Sequence, residues 1–105
     1  EAMRATPRAT VLTARVDDEI AGYSLVGSQM TASYLQRVAV APAFAGRGVG
    51  GSLVRASARW ASKRGSRALV LNLRPENDRA RRLYQREGFQ SRETPLHLLR
   101  YEHVP

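Results

Sequence analysis

The first third of the chain shows alternating or β-branched stretches; the rest mixes helical spacing with short apolar runs. Thr10 to Val16 (TVLTARV) is β-branched and alternating, and predicts a strand. Asp17-Asp18-Glu19 reads as a turn, and Ile20 to Val26 (IAGYSLV) as a second strand that forms a hairpin with the first. Gly27 to Thr31 is a connector, and Tyr34 to Val40 (YLQRVAV) is a third strand, stopped by Pro42. A helix follows. Val49, Leu53, Ala56 and Trp60 fall at i, i+4, i+7 and i+11, one apolar stripe on which Trp60 is read as core. Lys63-Arg64-Gly65 ends it with basic residues and a glycine. Arg67 to Leu73 (RALVLNL) is nearly continuously apolar, as in the interior of a sheet. Arg74-Pro75-Glu76 breaks the chain. Asn77 then reads as the N-cap of a second helix, with Asp78 in its first turn and Gly88 at its end. Gln90 to Glu93 and Leu96 to Glu102 read as two further strands with Pro95 between them. The order β-β-β-α-β-α-β-β predicts a mixed α/β fold with an antiparallel start.

Composition changes this picture in few places. The 105 residues suffice for one small domain, and 43% hydrophobic with 25% charged residues is ordinary for a globular protein. No apolar run approaches the roughly 20 residues that span a membrane, and the first ten residues lack the apolar core of a signal peptide. The absence of cysteine excludes disulfides, thiolate metal sites and a cysteine nucleophile, and it fits a cytoplasmic setting. With two separate histidines, His97 and His103, both read as surface or packing residues, no metal site is expected. The formal charge is +8, and Lys63 is the only lysine. Arginine forks match phosphate oxygens, so this charge suits an anionic ligand, and it suits a plain solvated surface equally well.

Four of the eight glycines fall in PAFAGRGVGGS, Pro42 to Ser52. Gly46 to Gly51 spells GxGxxG, yet five residues separate it from the end of the strand, and the next strand ends in Leu73-Arg74 rather than in a carboxylate. Both points argue against a dinucleotide fold. A P-loop would need a lysine before Ser52. A strand, a glycine loop and a helix start still make a phosphate cradle, because helix-start amides have no partners of their own. Arg47 could add a charge-assisted contact.

The second constellation is NDRARRLYQREGF, Asn77 to Phe89, or N-x-x-A-x-x-x-Y-x-x-x-G-F. On a helix Asn77, Ala80 and Tyr84 share one face, read as turned inward toward the start of the first helix. Arg79, Arg82 and Arg86 fall on the opposite face, read as solvated. Val40, Pro42, Gly46, Gly48 and Gly50 supply V-x-P-x-x-x-G-x-G-x-G ahead of it. Together, in this order and spacing, the two stretches resemble the GNAT superfamily of acetyl-CoA-dependent N-acetyltransferases, over roughly Thr10 to Glu102.

The resemblance implies a mostly antiparallel sheet in which a central parallel pair, Tyr34 to Val40 and Arg67 to Leu73, splays apart to admit acetyl-CoA. It implies that the pyrophosphate meets the backbone from about Ala45 to Gly50, and Ala45, Gly46, Arg47, Gly48, Val49, Gly50 and Gly51 are expected at the cofactor. Main-chain groups of Val38, Ala39 and Val40 would pair with the pantetheine arm, and one of those amides would polarise the thioester carbonyl. Asn77 and Ala80 would flank the cofactor, Tyr84 would protonate the departing thiolate, and some of Arg79, Arg81, Arg82 and Arg86, otherwise read as a solvated helix face, could reach the 3′-phosphate. The implied reaction is acetyl transfer to a primary amine by direct attack, with no metal. No general base stands out: Gln36 and Arg37 occupy the strand positions where some relatives keep a glutamate.

Two departures accompany the resemblance. Ala45 stands where the family usually has Gln or Arg, which removes one side-chain contact to the pyrophosphate and leaves Arg47 as its substitute. The family also begins with a strand and two helices that wall the acceptor site, whereas this chain starts near the second strand. It is read as one domain lacking those elements: a fragment, a minimal member, or a chain completed by a partner, with a homodimer compatible. Two other functions stay open at this point. One is a coenzyme A-binding domain without catalysis. The other is a basic nucleic-acid- or ribosome-associated domain, against which the lack of interleaved surface aromatics and of a reading helix counts.

Overall fold

The computed structural model describes residues 8–29, 31–74, 76–91 and 98–102. Six strands form one sheet in the order β1-β2-β3-β4-β6-β5. They are β1 (Ala9–Val16), β2 (Glu19–Gln29), β3 (Ala32–Val40), β4 (Ala68–Asn72), β5 (Gln90–Ser91) and β6 (Leu98–Glu102). Helix α1 (Val49–Lys63) joins β3 to β4, and α2 (Asp78–Arg86) follows β4. The β3–β4 pair is parallel and the other ladders are antiparallel, the mixed sheet that the element order predicts.

Asp17 and Asp18 form the β1–β2 turn with φ of 52° and 68°. Both lie in the left-handed region that a two-residue hairpin turn requires, which aspartate tolerates better than most residues. β2 runs further than its apolar pattern suggests. Gly27 is not a connector but a strand residue between Ala9 and Tyr34. A side chain there would stand 3.0 Å from the Arg8 carbonyl oxygen, so glycine lets the strands approach without a shift of the backbone. At the far end, β5 is described at Gln90–Ser91, within the expected Gln90 to Glu93, and β6 is inserted between β4 and β5. Positions 92–97, with Pro95 and His97, and also His103, lie outside the described residues.

Helix α1 covers one face of the sheet. Its buried side is Val49, Gly51, Leu53, Val54, Ser57 and Ala61, whereas Ala56 and Trp60 are half-buried. The expected stripe is thus rotated toward small residues, Ser57 and Gly51, that hydropathy alone does not mark. Trp60 sits at the rim of the core, with the Arg64 guanidinium 4.7 Å from its ring centroid. Beneath α1 lie two apolar clusters. One is built on Val26, Leu35, Val54, Leu69 and Phe89. The other is built on Ala21, Val49 and Leu53, and Val38 of β3 touches both. Val26 and Leu69 are fully buried, worth about 1.5–3 kcal/mol each in apolar burial.

The parallel pair is short. β3 and β4 are in register at Ala32↔Ala68, Ser33↔Leu69 and Tyr34↔Val70. β3 then continues to Val40 and β4 to Asn72 with no ladder between them. The β2–β3 register supplies the cause. It passes from Leu25↔Arg37 to Val26↔Leu35 and leaves Gln36 as an extra residue. Such a bulge bends its strand, and this one falls just past the last β3–β4 pairing.

Candidate functional site

β3 ends in Ala41 and a single tight turn, Pro42–Phe44, closed by Phe44 N–H to Ala41 O at 2.9 Å and Ala45 N–H to Pro42 O at 3.2 Å. Gly46 and Gly48 then take φ of 77° and 81°. An L side chain in that conformation costs roughly 1–2 kcal/mol. A methyl group at either position would meet nothing within 4 Å, so the space above the loop is open. Gly48 caps α1 without a side-chain hydrogen bond. Among the described residues, the amides of Gly46, Arg47 and Gly48 donate to no acceptor. The first-turn amides of Val49, Gly50 and Gly51 have no partner within the helix by its geometry. A run of donors from Gly46 to Gly51 therefore leads into and forms the positive end of the α1 dipole.

The next two glycines serve packing. A methyl group on Gly50 would touch Leu83 Cδ2 at 3.4 Å, and one on Gly51 would lie 2.8 Å from Glu87 Oε2. These positions bring α2 against the first turn of α1. The carboxylate of Glu87 accepts from Arg55 Nη1 at 2.8 Å and ties the two helices together.

Between loop and helix lies a cleft of about 620 Å³. Of the expected cofactor residues, Val40, Ala45, Gly46, Gly48, Val49, Gly50 and Gly51 form one wall, and Asn77 and Ala80 stand on the other. Asn77 also caps α2, its Oδ1 accepting from the Ala80 amide at 3.2 Å. Arg47 is not part of the wall. Its guanidinium lies over the Phe44 ring, 5.5 Å from the centroid, and Phe44 itself lines the cleft. Val38 and Ala39 do not line it either. They stand where β3 has left β4, with their register partners Ser24 and Tyr23 on β2.

Helix α2 turns differently from the expected wheel. Leu83, Arg79 and Arg86 line the cleft beside Ala80, so two of the arginines read as solvated border the site. Tyr84 is not a lining residue. It is half-buried against the core, its ring edge-on to Phe89 at 5.5 Å. Burial pushes its phenol pKa above the ordinary value, which keeps the proton on the oxygen. The hydroxyl has no hydrogen-bond partner among the described residues. A smaller cavity of about 220 Å³ opens where the parallel strands part, lined by Tyr34, Leu35 and Gln36 from β3 and by Val70, Leu71 and Asn72 from β4.

A parallel pair that parts beside an amide-lined cleft has the free strand edge and the donors that an extended, phosphate-bearing ligand would need. The chain belongs to the acetyltransferase (GNAT) family, whose model matches residues 1–89. No curated protein sequence matches it. Solved structures share its fold. The PaiA N-acetyltransferase of Thermoplasma acidophilum in complex with coenzyme A is 16% identical at a TM-score of 0.83, over 97% of this chain and 65% of that one. A GNAT family acetyltransferase of Elizabethkingia anophelis with acetyl-CoA bound is 20% identical at 0.83, over 91% and 77%. The ribosomal-protein-S18-alanine N-acetyltransferase of Escherichia coli is 20% identical at 0.80, over 96% and 73%. The chain thus spans about two thirds to three quarters of the length of these enzymes. Among the described residues, no helix is long and apolar enough to cross a membrane.

Proposed function

We propose that this chain binds acetyl-CoA in the cleft between the glycine loop and α2 and transfers the acetyl group to a primary amine. The observation that carries this reading is the end of the β3–β4 ladder at Tyr34↔Val70, upstream of a loop whose amides have no partners. The unpaired amides and the open space over Gly46 and Gly48 fit a pyrophosphate. The β4-facing backbone edge of Val38 to Val40, free of a ladder, fits the amides of a pantetheine arm.

Acetyl-CoA supplies an acyl thioester. The chain's own residues do the rest. The amides of Gly46 to Gly51 hold the phosphates, and Asn77 and Ala80 flank them from α2. A β3 amide donates to the thioester oxygen as negative charge gathers there. The acceptor's nitrogen lone pair forms the new C–N bond, the C–S bond breaks, and the nitrogen's surplus proton leaves to water. The acid for the leaving sulfur is the role that the family resemblance implies for Tyr84, which holds its proton by burial although its ring packs on Phe89 outside the cleft lining.

Calorimetric titration with acetyl-CoA tests binding, and thiol release over a panel of primary amines tests transfer. Micromolar affinity with amine-dependent release is expected. In Tyr84→Phe, turnover is expected to fall by roughly 10²-fold or more with affinity unchanged. Binding without release for any amine would favour a coenzyme A-binding domain that does no chemistry. Oligonucleotide binding with no response to coenzyme A would replace both readings by a nucleic-acid partner.

A further inference from the structure

Helix α1 fills one face of the parted strands. There Val38 touches both apolar clusters, Leu35 is buried, and Val40 packs beside Val49 and Leu53. Side chains of β2 and β3 alternate between this filled face and the opposite one. Ser24 bonds to Ser57 of α1, so Tyr23 and Leu25 point to the opposite face, and their register partners Ala39 and Arg37 go with them. Tyr34, 42% exposed between the buried Ser33 and Leu35, lies on the same side. Arg37 directly follows the bulge residue Gln36, which lines the cavity at the parting together with Tyr34 and Asn72.

This open face carries an uncommitted cation. Arg37 is exposed, and its one contact is long, Nη1 donating to the Tyr23 hydroxyl at 3.4 Å. Among the described residues it has no carboxylate partner. The contact with Tyr23 orients the guanidinium and leaves Nε and Nη2 to donate elsewhere. The lining of the cavity at the parting holds no carboxylate either. A protonated amine finds no counter-charge among those residues, and the chain's formal charge of +8 repels it at longer range. A cation near the amine also lowers its pKa, which favours the free lone pair that attack requires.

We propose that the acceptor is a primary amine that bears its own carboxylate, as an amino acid does, and that Arg37 selects it by engaging that carboxylate. This rests on the reading of the chain as an acetyltransferase of primary amines. The guanidinium fork would meet the carboxylate through charge-assisted hydrogen bonds on the open face of β3, beside the parted strands. Arg37 touches neither the C–N bond that forms nor the C–S bond that breaks; it decides which amine is held there.

Thiol release from acetyl-CoA by the full chain, over matched pairs of amino acids and their carboxamides, tests it. The carboxamide has the less basic amine, so ionisation alone favours it at neutral pH. In the parent, kcat/KM is nevertheless expected to be roughly tenfold or more higher for the acids. In Arg37→Gln this ratio should fall to about one or below, and Arg37→Lys, which keeps the charge, should recover part of it. Arg59→Gln removes the same charge from an exposed position of α1 and should leave the ratio as in the parent. The parent's own preference should shrink as salt rises, a reading that needs no variant. An unchanged melting temperature in Arg37→Gln separates selection from folding. If carboxamides are acetylated as well as acids, or if the preference survives Arg37→Gln, the proposal is overturned while the transferase reading stands. If no amine in the panel releases thiol, both fall.

Discussion

Ser24 donates its hydroxyl proton to Ser57 across 2.8 Å, joining β2 to α1 inside the core. The direction follows from the other bond at Ser57, whose Oγ donates its only proton to the Leu53 carbonyl at 2.8 Å. Both serines are fully buried. Ser57→Ala leaves the Ser24 donor stranded and should cost about 1–3 kcal/mol. Ser24→Ala leaves Ser57 bonded to Leu53 and should cost less, and the double variant less than the sum. Urea unfolding of the three variants checks the order; equal single costs would contradict the assigned direction.

Gly48 and Gly51 should respond to alanine for opposite reasons. At Gly48 the penalty is conformational, about 1–2 kcal/mol, because φ is 81° in open space. At Gly51 the backbone is helical, where alanine gains about 1 kcal/mol, but the new methyl group displaces the Glu87 carboxylate. In a Glu87→Ala background, Gly51→Ala should therefore turn stabilising. Thermal unfolding of the four chains measures this, and a Gly51→Ala penalty that survives loss of Glu87 would refute the contact.

The buried phenol of Tyr84 also predicts an alkaline limb of stability. Its folded-state pKa lies above the unfolded value of about 10. The contribution is complete below that value and is lost as pH climbs through the folded one, because the unfolded chain releases its proton first. Tyr84→Phe should flatten the fall in unfolding free energy above about pH 10. An unchanged slope would mean that other groups set it.

Asn77 carries two tasks that substitution can part. Ala removes the α2 cap and should cost about 1 kcal/mol, while Ser keeps a capping oxygen and should hold stability near the parent. If the carboxamide also flanks the coenzyme, Asn77→Ser should weaken binding without destabilising the fold. Paired melting and titration data decide between the roles.

The parts of this architecture that local chemistry dictates are visible in the chain. Pro42 with Gly46 and Gly48 marks a loop that only left-handed residues can make, and Asn77 to Gly88 marks a capped helix with its stop. What stayed hidden depends on contacts between distant segments. Nothing around Gln36 announces a bulge, because the bulge is a mismatch of register with β2. Gly50 and Gly51 look like loop glycines until α2 is laid against them. The inward axis of α2 cannot be drawn from Asn77 and Tyr84. Phe89, after the helix, draws Tyr84 to the core, so Ala80 and Leu83 face the cleft with Arg79 and Arg86 beside them.

The place of β6 between β4 and β5 bears on how this sheet is assembled. β4 precedes β6 in the chain by more than twenty residues, and one of its edges is closed only by the segment Leu98–Glu102. Until those residues pair, β4 offers a row of unpaired backbone groups along the apolar run Ala68 to Leu71, the kind of edge on which copies of a chain zip together. A nascent or clipped chain ending before Leu98 should therefore aggregate through β4, and the non-local β4–β6 ladder is the step that ends that exposure.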